Sequence, residues 1–249
     1  MTKKKKVILS VVAVVLALVT YGYFFGDQTS FAILVRHNRE PWMEVVPKPM
    51  PVGFCAEPVM KLKAFDYNFS VPWSDCSQAT WMTATSIVLW TCSGSNVQVV
   101  CWAPSEGLYS SIIPDASSEN AEYRQALIKW LGLESVACTN FHLFAKALEV
   151  TPGDFSPFGP RLEASFKSLL FLLKTMNMPP EACEIYSFEH RDIKGFQFGN
   201  PSIDLRTHLY LFDRMDREVQ LVVQVGTNSP VRLTQADINT IITTFSGNP

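Results

Sequence analysis

Four consecutive lysines, Lys3 to Lys6, precede 19 residues without a single charge, 7–25 (VILSVVAVVLALVTYGYFF), and this run limits the chain more than any other feature. At about 1.5 Å per residue, a helix of that length matches the hydrocarbon thickness of a bilayer. A soluble core helix rarely stays apolar on every side for so long. A cleaved secretory signal has a shorter apolar stretch, about 7–15 residues, closed by small side chains. Here the run ends Tyr21-Gly22-Tyr23-Phe24-Phe25, rings that suit a membrane interface. Cleavage at Val15-Leu16-Ala17 is the alternative, and it would leave an apolar new amino end. The reading adopted is a signal anchor over 7–25 behind a cytoplasmic tail, 1–6, with the lipid bilayer as the partner of 7–25. Lysines before the run outnumber Arg36 and Arg39 after it, which places everything from Asp27 onward outside the cytoplasm.

Removing those four lysines leaves 17 basic residues against 23 acidic, a net charge of about −6. A domain with that balance has no electrostatic footprint for nucleic acid. Beyond the anchor, Phe31-Ala-Ile-Leu-Val35 forms a second apolar patch, able to prolong the helix or to lie in the interface. Prolines follow at 41, 47, 49, 51 and 58, a density that stops helices and stiffens the chain. Residues 26–58 therefore read as a juxtamembrane segment and proline-rich stalk. Residues 59–249 read as one domain, long enough to bury its own core.

Within that domain, residues 61–73 (KLKAFDYNFSVPW) alternate apolar and polar as one strand. Residues 81–92 and 97–102 face each other across Ser93-Gly94-Ser95-Asn96, a tight hairpin that sets Cys92 opposite Val97 and Cys101 opposite Val88. Three helices follow: 119–131, stopped by Gly132; 139–150; and a third opened by Pro160 and closed by Pro179-Pro180. Apolar residues recur through the third at Leu162, Phe166, Leu169, Leu170, Leu173 and Met176, as expected of a helix packed on a sheet. Strands return at 183–190, 195–198, 205–212 and 218–225. Thr234 caps a last helix carrying Ile238, Ile241, Ile242 and Phe245. The order predicts α+β, a mainly antiparallel sheet of six or seven strands packed against three or four helices. With YNFSVPW leading into a hairpin, it resembles the Mog1/PsbP-like shape, an antiparallel sheet covered by helices; the resemblance concerns shape alone and implies no functional residue.

Six cysteines in an exported chain invite disulfides. The hairpin register holds Cys92 and Cys101 about 13 Å apart, beyond a bridge's reach of about 7 Å, so both read as small buried apolar groups. Cys55, Cys76, Cys138 and Cys183 are free to pair in three ways that spacing does not resolve. The densest polar group is Ser187-Phe-Glu189-His190-Arg191-Asp192, with His208 on a later strand. Such residues can form a proton relay or a zinc site, but Glu189 and His190 adjoin on a strand and point to opposite faces. Gly153-Asp-Phe-Ser156-Pro-Phe-Gly159 lacks the Gly-x-Ser-x-Gly spacing of a nucleophile elbow, and no phosphate loop or His-Glu-x-x-His is present. His37 reads as solvated and His142 as satisfied. Of the tryptophans, Trp90, Trp102 and Trp130 read as core, and Trp73 and Trp81 as the two to find exposed.

No catalytic, cofactor or metal residue is assigned. The expected function is that of a membrane-anchored, non-catalytic binding or accessory domain of the bacterial cell envelope, its partner an envelope protein. Two alternatives stay open: a hydrolytic or metal-dependent enzyme near Glu189, His190, Asp192 and His208, and a carrier of a small hydrophobic ligand.

Overall fold

The structure, a computed structural model, describes residues 30–51, 53–79, 86–104, 121–136, 139–156, 161–179 and 182–247. The predicted span 7–25, Trp81, the helix start near 119, Cys138, Pro160 and Pro180 lie outside these residues. Among the described residues no helix is long and apolar enough to cross a membrane.

Alternating side chains produce the strands. β5 (Ile87–Cys92) and β6 (Val97–Trp102) form the predicted hairpin in the predicted register. A second hairpin joins β9 (Arg206–Phe212) to β10 (Glu218–Val225), and β10 pairs in turn with β6. β8 (Ile193–Phe198) pairs with β9, and β7 (Ile185–His190) with β8. Two short strands close the edges: β1 (Lys48–Pro49), parallel to β7, and β4 (Cys76–Gln78), antiparallel to β5. The sheet has eight strands in the order β1-β7-β8-β9-β10-β6-β5-β4. It exceeds the expected six or seven because edge strands of two and three residues are too short to show alternation.

Residues 61–73 are not one strand. β2 (Met60–Ala64) turns at Phe65-Asp66 into β3 (Tyr67–Val71), and Phe65 takes φ +54°, a conformation that hairpins usually assign to Asn or Gly. Asp66 is the one turn-type residue in the loop, and it follows a phenylalanine where a hairpin signal would place Asn or Gly. β11 (Ser246–Gly247) pairs with β3 to complete a second, three-stranded sheet.

Five helices are described: α1 at 30–37, α2 (Ala121–Leu131), α3 (Thr139–Glu149), α4 (Arg161–Asn177) and α5 (Gln235–Thr244). Gly132, at φ +68°, ends α2 while the Leu133 amide returns to the Ile128 carbonyl. Thr234 and Asp237 cap α5 reciprocally, and Thr151 and Asp154 do the same around one 3-10 turn at Pro152–Asp154.

The layers follow from where the apolar faces go. α5 and the small sheet cover one face of the large sheet, with Ile238, Ile241 and Phe245 meeting Phe69, Val99, Leu209 and Leu221. α3 covers the other face over β7 to β9, where Phe144 and Leu148 pack on Phe196, Phe198, Tyr210 and Phe212. α4 sits one layer further out than expected. Its Phe166, Leu170 and Leu173 pack on Leu127, Leu143, Ala147, Ala32 and Val35 of other helices, and Leu162 and Met176 are exposed.

Residues 40–58 also differ from expectation. They are largely extended, as the prolines require, but lie along the domain: the Ala56 amide donates to the Ala236 carbonyl, and Asn239 Nδ2 donates to the Phe54 carbonyl. Residues of α1 and of 40–58 thus pack with the domain, Ala32 and Val35 being buried. Cys92 is bonded to Cys76, because β4 supplies a third strand that the hairpin register does not foresee. Cys101 is a buried thiol. Trp73 is buried with Trp90, whereas Trp102 and Trp130 reach the surface.

Candidate functional site

The four residues of the enzyme alternative do not meet. Glu189 lies opposite Lys194 across the β7–β8 hairpin and pairs with it at 3.3 Å. His190 lies opposite Ile193 at the tip, while His208 lies opposite Phe198 at the far end of β8. Glu189 and His190 share the wall of a pocket of about 290 Å³ with Cys55, Ser187 and Asn239. Asp192 belongs to a separate cleft. Among the described residues no three His, Cys, Asp or Glu are placed to hold a metal ion.

The cleft that takes Asp192, about 260 Å³, is lined by Arg191, Arg214 and Arg217. Of these, Arg217 is already committed to Asp213. The buried Asp213 carboxylate accepts from Arg217 Nε at 2.8 Å, from the Met215 and Arg217 amides at 2.9 Å, and from the Tyr67 hydroxyl at 3.1 Å. Burial, reinforced by that carboxylate, pushes the Tyr67 hydroxyl well above its usual pKa, so it stays protonated and offers no base.

The third concavity is larger, about 550 Å³, and of a different chemistry. α1 contributes Phe31, Leu34 and Val35, and α4 contributes Ser165, Ser168, Leu169 and Leu172, both sets at spacings that align on one helix side. Tyr123 of α2 and Met43 complete the wall. Aromatic contacts fix the floor: Phe31 lies edge-on to Phe155 at 5.2 Å, and Phe155 to Phe171 at 5.4 Å. Two polar groups on the wall are engaged by their own helix, Ser168 Oγ donating to the Ala164 carbonyl and Thr175 Oγ1 to the Leu172 carbonyl, while Asn38, Tyr123 and Ser165 also line it. Most of what faces the opening is hydrocarbon.

Two cations hold the groove together. Arg36 donates to the Phe155 carbonyl at 2.8 Å, which ties α1 to the floor. Lys174 is fully buried, and its ammonium lies 2.8–3.1 Å from the carbonyl oxygens of Met43, Val45, Leu148 and Val150. Burial draws its pKa down to about 8, against the opposing pull of Glu44 and Asp154.

At the mouth, Leu34 is 57% exposed, Leu172 54% and Met176 76%. Two signals in the sequence point here: the patch Phe31 to Val35, and apolar residues on more than one side of α4. A periodicity reading assigns the second to a sheet-packed core. Arg36, His37 and Arg39 close the carboxyl end of α1, giving it an apolar and a basic part. No family model matches the chain, and no curated protein or solved structure matches it either, so the functional reading rests on this groove.

Proposed function

We propose that the chain is a single-pass membrane protein of the bacterial cell envelope, its amino terminus cytoplasmic and its α+β domain periplasmic or extracellular, acting as a non-catalytic binding domain. The observation that carries this reading is the position of the groove: its first wall residue, Phe31, follows the end of the apolar run at Phe25 by only six positions. A domain anchored through 7–25 presents this groove beside the bilayer. The Cys76–Cys92 bridge supports an oxidising compartment. The enzyme alternative gains no support from residues spread over two clefts and opposite strand ends. Of the two alternatives, the hydrophobic-ligand role is favoured by the groove itself, and it supplies the form that binding takes.

A pair of carboxyl-terminal fusions tests the topology. A reporter that folds only in the periplasm is active, and one that folds only in the cytoplasm is dark. The reverse pair, or intact chain in the soluble cytosolic fraction, overturns the reading.

A further inference from the structure

We infer that the groove between α1 and α4 holds an acyl chain of a membrane lipid, drawn from the leaflet beside it. This rests on the anchor reading above and names the ligand class of that site. Reach comes first. Six peptide steps separate Phe25 from Phe31, and at about 3.6 Å each they place the groove within roughly 20 Å of the hydrocarbon edge. Chemistry comes second. The wall is mainly the hydrocarbon of Phe31, Leu34, Val35, Leu169 and Leu172, and its Ser168 and Thr175 hydroxyls are engaged by their own helix carbonyls, so it favours methylene groups. Shape comes third. At about 550 Å³ the groove falls in the range of small-molecule sites, and it is open along one side, so a chain still joined to its headgroup can enter it.

Charge decides between a lipid and a soluble apolar molecule. The domain carries a net charge of about −6, yet Arg36, His37 and Arg39 stand together at the end of α1, where an anionic headgroup would lie if its tail were in the groove. Arg39 is already paired with Glu44, so the headgroup contact falls to Arg36, which commits one amino group to the Phe155 carbonyl and has further N–H donors. Among the described residues the space between α3 and the sheet is filled by stacked rings, Phe144 on Tyr210 at 4.8 Å among them, and leaves no room for a tail there.

The test uses the full chain, reconstituted in vesicles of phosphatidylethanolamine and phosphatidylglycerol in which a fraction of the phosphatidylglycerol carries a diazirine on its acyl tail. After illumination, labelled peptides are mapped by mass spectrometry. Label is expected in 7–25 and also in 31–38 and 165–175. Leu172→Asp sets a charge at the exposed mouth, where little packing is lost, and is expected to cut groove label about tenfold relative to 7–25. Leu172→Trp, which fills the groove without a charge, does the same, and unchanged circular dichroism shows that both variants are folded. Ile203→Asp, at an exposed apolar site elsewhere, leaves the labelling unchanged. Label in 7–25 alone overturns the acyl-chain inference and leaves the anchor reading standing. Absence of label everywhere, with the chain in the supernatant, overturns both.

Discussion

Lys174 ends on four main-chain oxygens, at 2.8–3.1 Å, drawn from two separate segments: Met43 and Val45 before β1, Leu148 and Val150 at the end of α3. An ammonium has three donors, so the oxygens share them. Lys174→Met keeps the stem and removes the donors, leaving buried carbonyls unmatched, and is expected to cost at least about 2 kcal/mol in chemical denaturation. The pH dependence has a definite sign. The folded pKa, about 8, lies below the unfolded 10.5, so between those values the unfolded chain binds more protons and stability from this group rises with pH. That contribution is fully present above 10.5 and is lost as pH falls through 8; the slope between pH 8 and 10.5 is absent in Lys174→Met. Asp216, at φ +61°, is a second such residue. Its carboxylate accepts from the Asn140 and Phe141 amides and from Thr139 Oγ1, capping α3 from the β9–β10 loop. Asp216→Ala is expected to cost about 1–2 kcal/mol by thermal unfolding. Neither role is legible in the sequence: Lys174 reads as one lysine on a helix and Asp216 as one charge in a hairpin loop, because their partners lie 24–131 and 75–77 positions away.

Elements were legible where local chemistry was sufficient. The β5–β6 and β9–β10 hairpins and the capped α5 follow from alternation, turn residues and one threonine. Elements that depend on a distant partner were not: β1 and β4 exist because sheet edges were available, and α4 lies outside α3 because α3 already occupies the sheet face. The Cys76–Cys92 bridge belongs to the same class, fastening the three-residue β4 to the end of β5. Its ends are 16 positions apart, and in the chain-entropy view closing such a loop in the unfolded state stabilises the fold by about 3 kcal/mol. Cys76→Ser with Cys92→Ser is expected to lose about that amount in guanidinium unfolding. A reductant lowers the wild-type midpoint toward that of the double variant and leaves the variant where it was; equal midpoints in all four conditions would show the bridge to be thermodynamically idle.

At the scale of the whole molecule, the anchored arrangement proposed above raises the question of what would hold the domain to the membrane with α1 and the groove against it. The anchor and the groove are unequal holdfasts. A 19-residue apolar helix inserts almost irreversibly, whereas one acyl chain in a groove gives marginal, reversible attachment. Arg36 adds about 1 kcal/mol near an anionic surface, Arg39 being paired with Glu44, and the net charge of about −6 on the domain works against it. A protease site placed at 26–29 in the reconstituted chain should therefore release the domain, 30–249, into the supernatant on sedimentation. A residual bound fraction is expected to grow with the phosphatidylglycerol content of the vesicles and to vanish in high salt, where screening removes the arginine contribution and leaves a single tail too weak to hold. Retention of the cut domain at high salt on neutral vesicles would mean that α1 and the groove insert on their own, and that 7–25 is not the principal attachment.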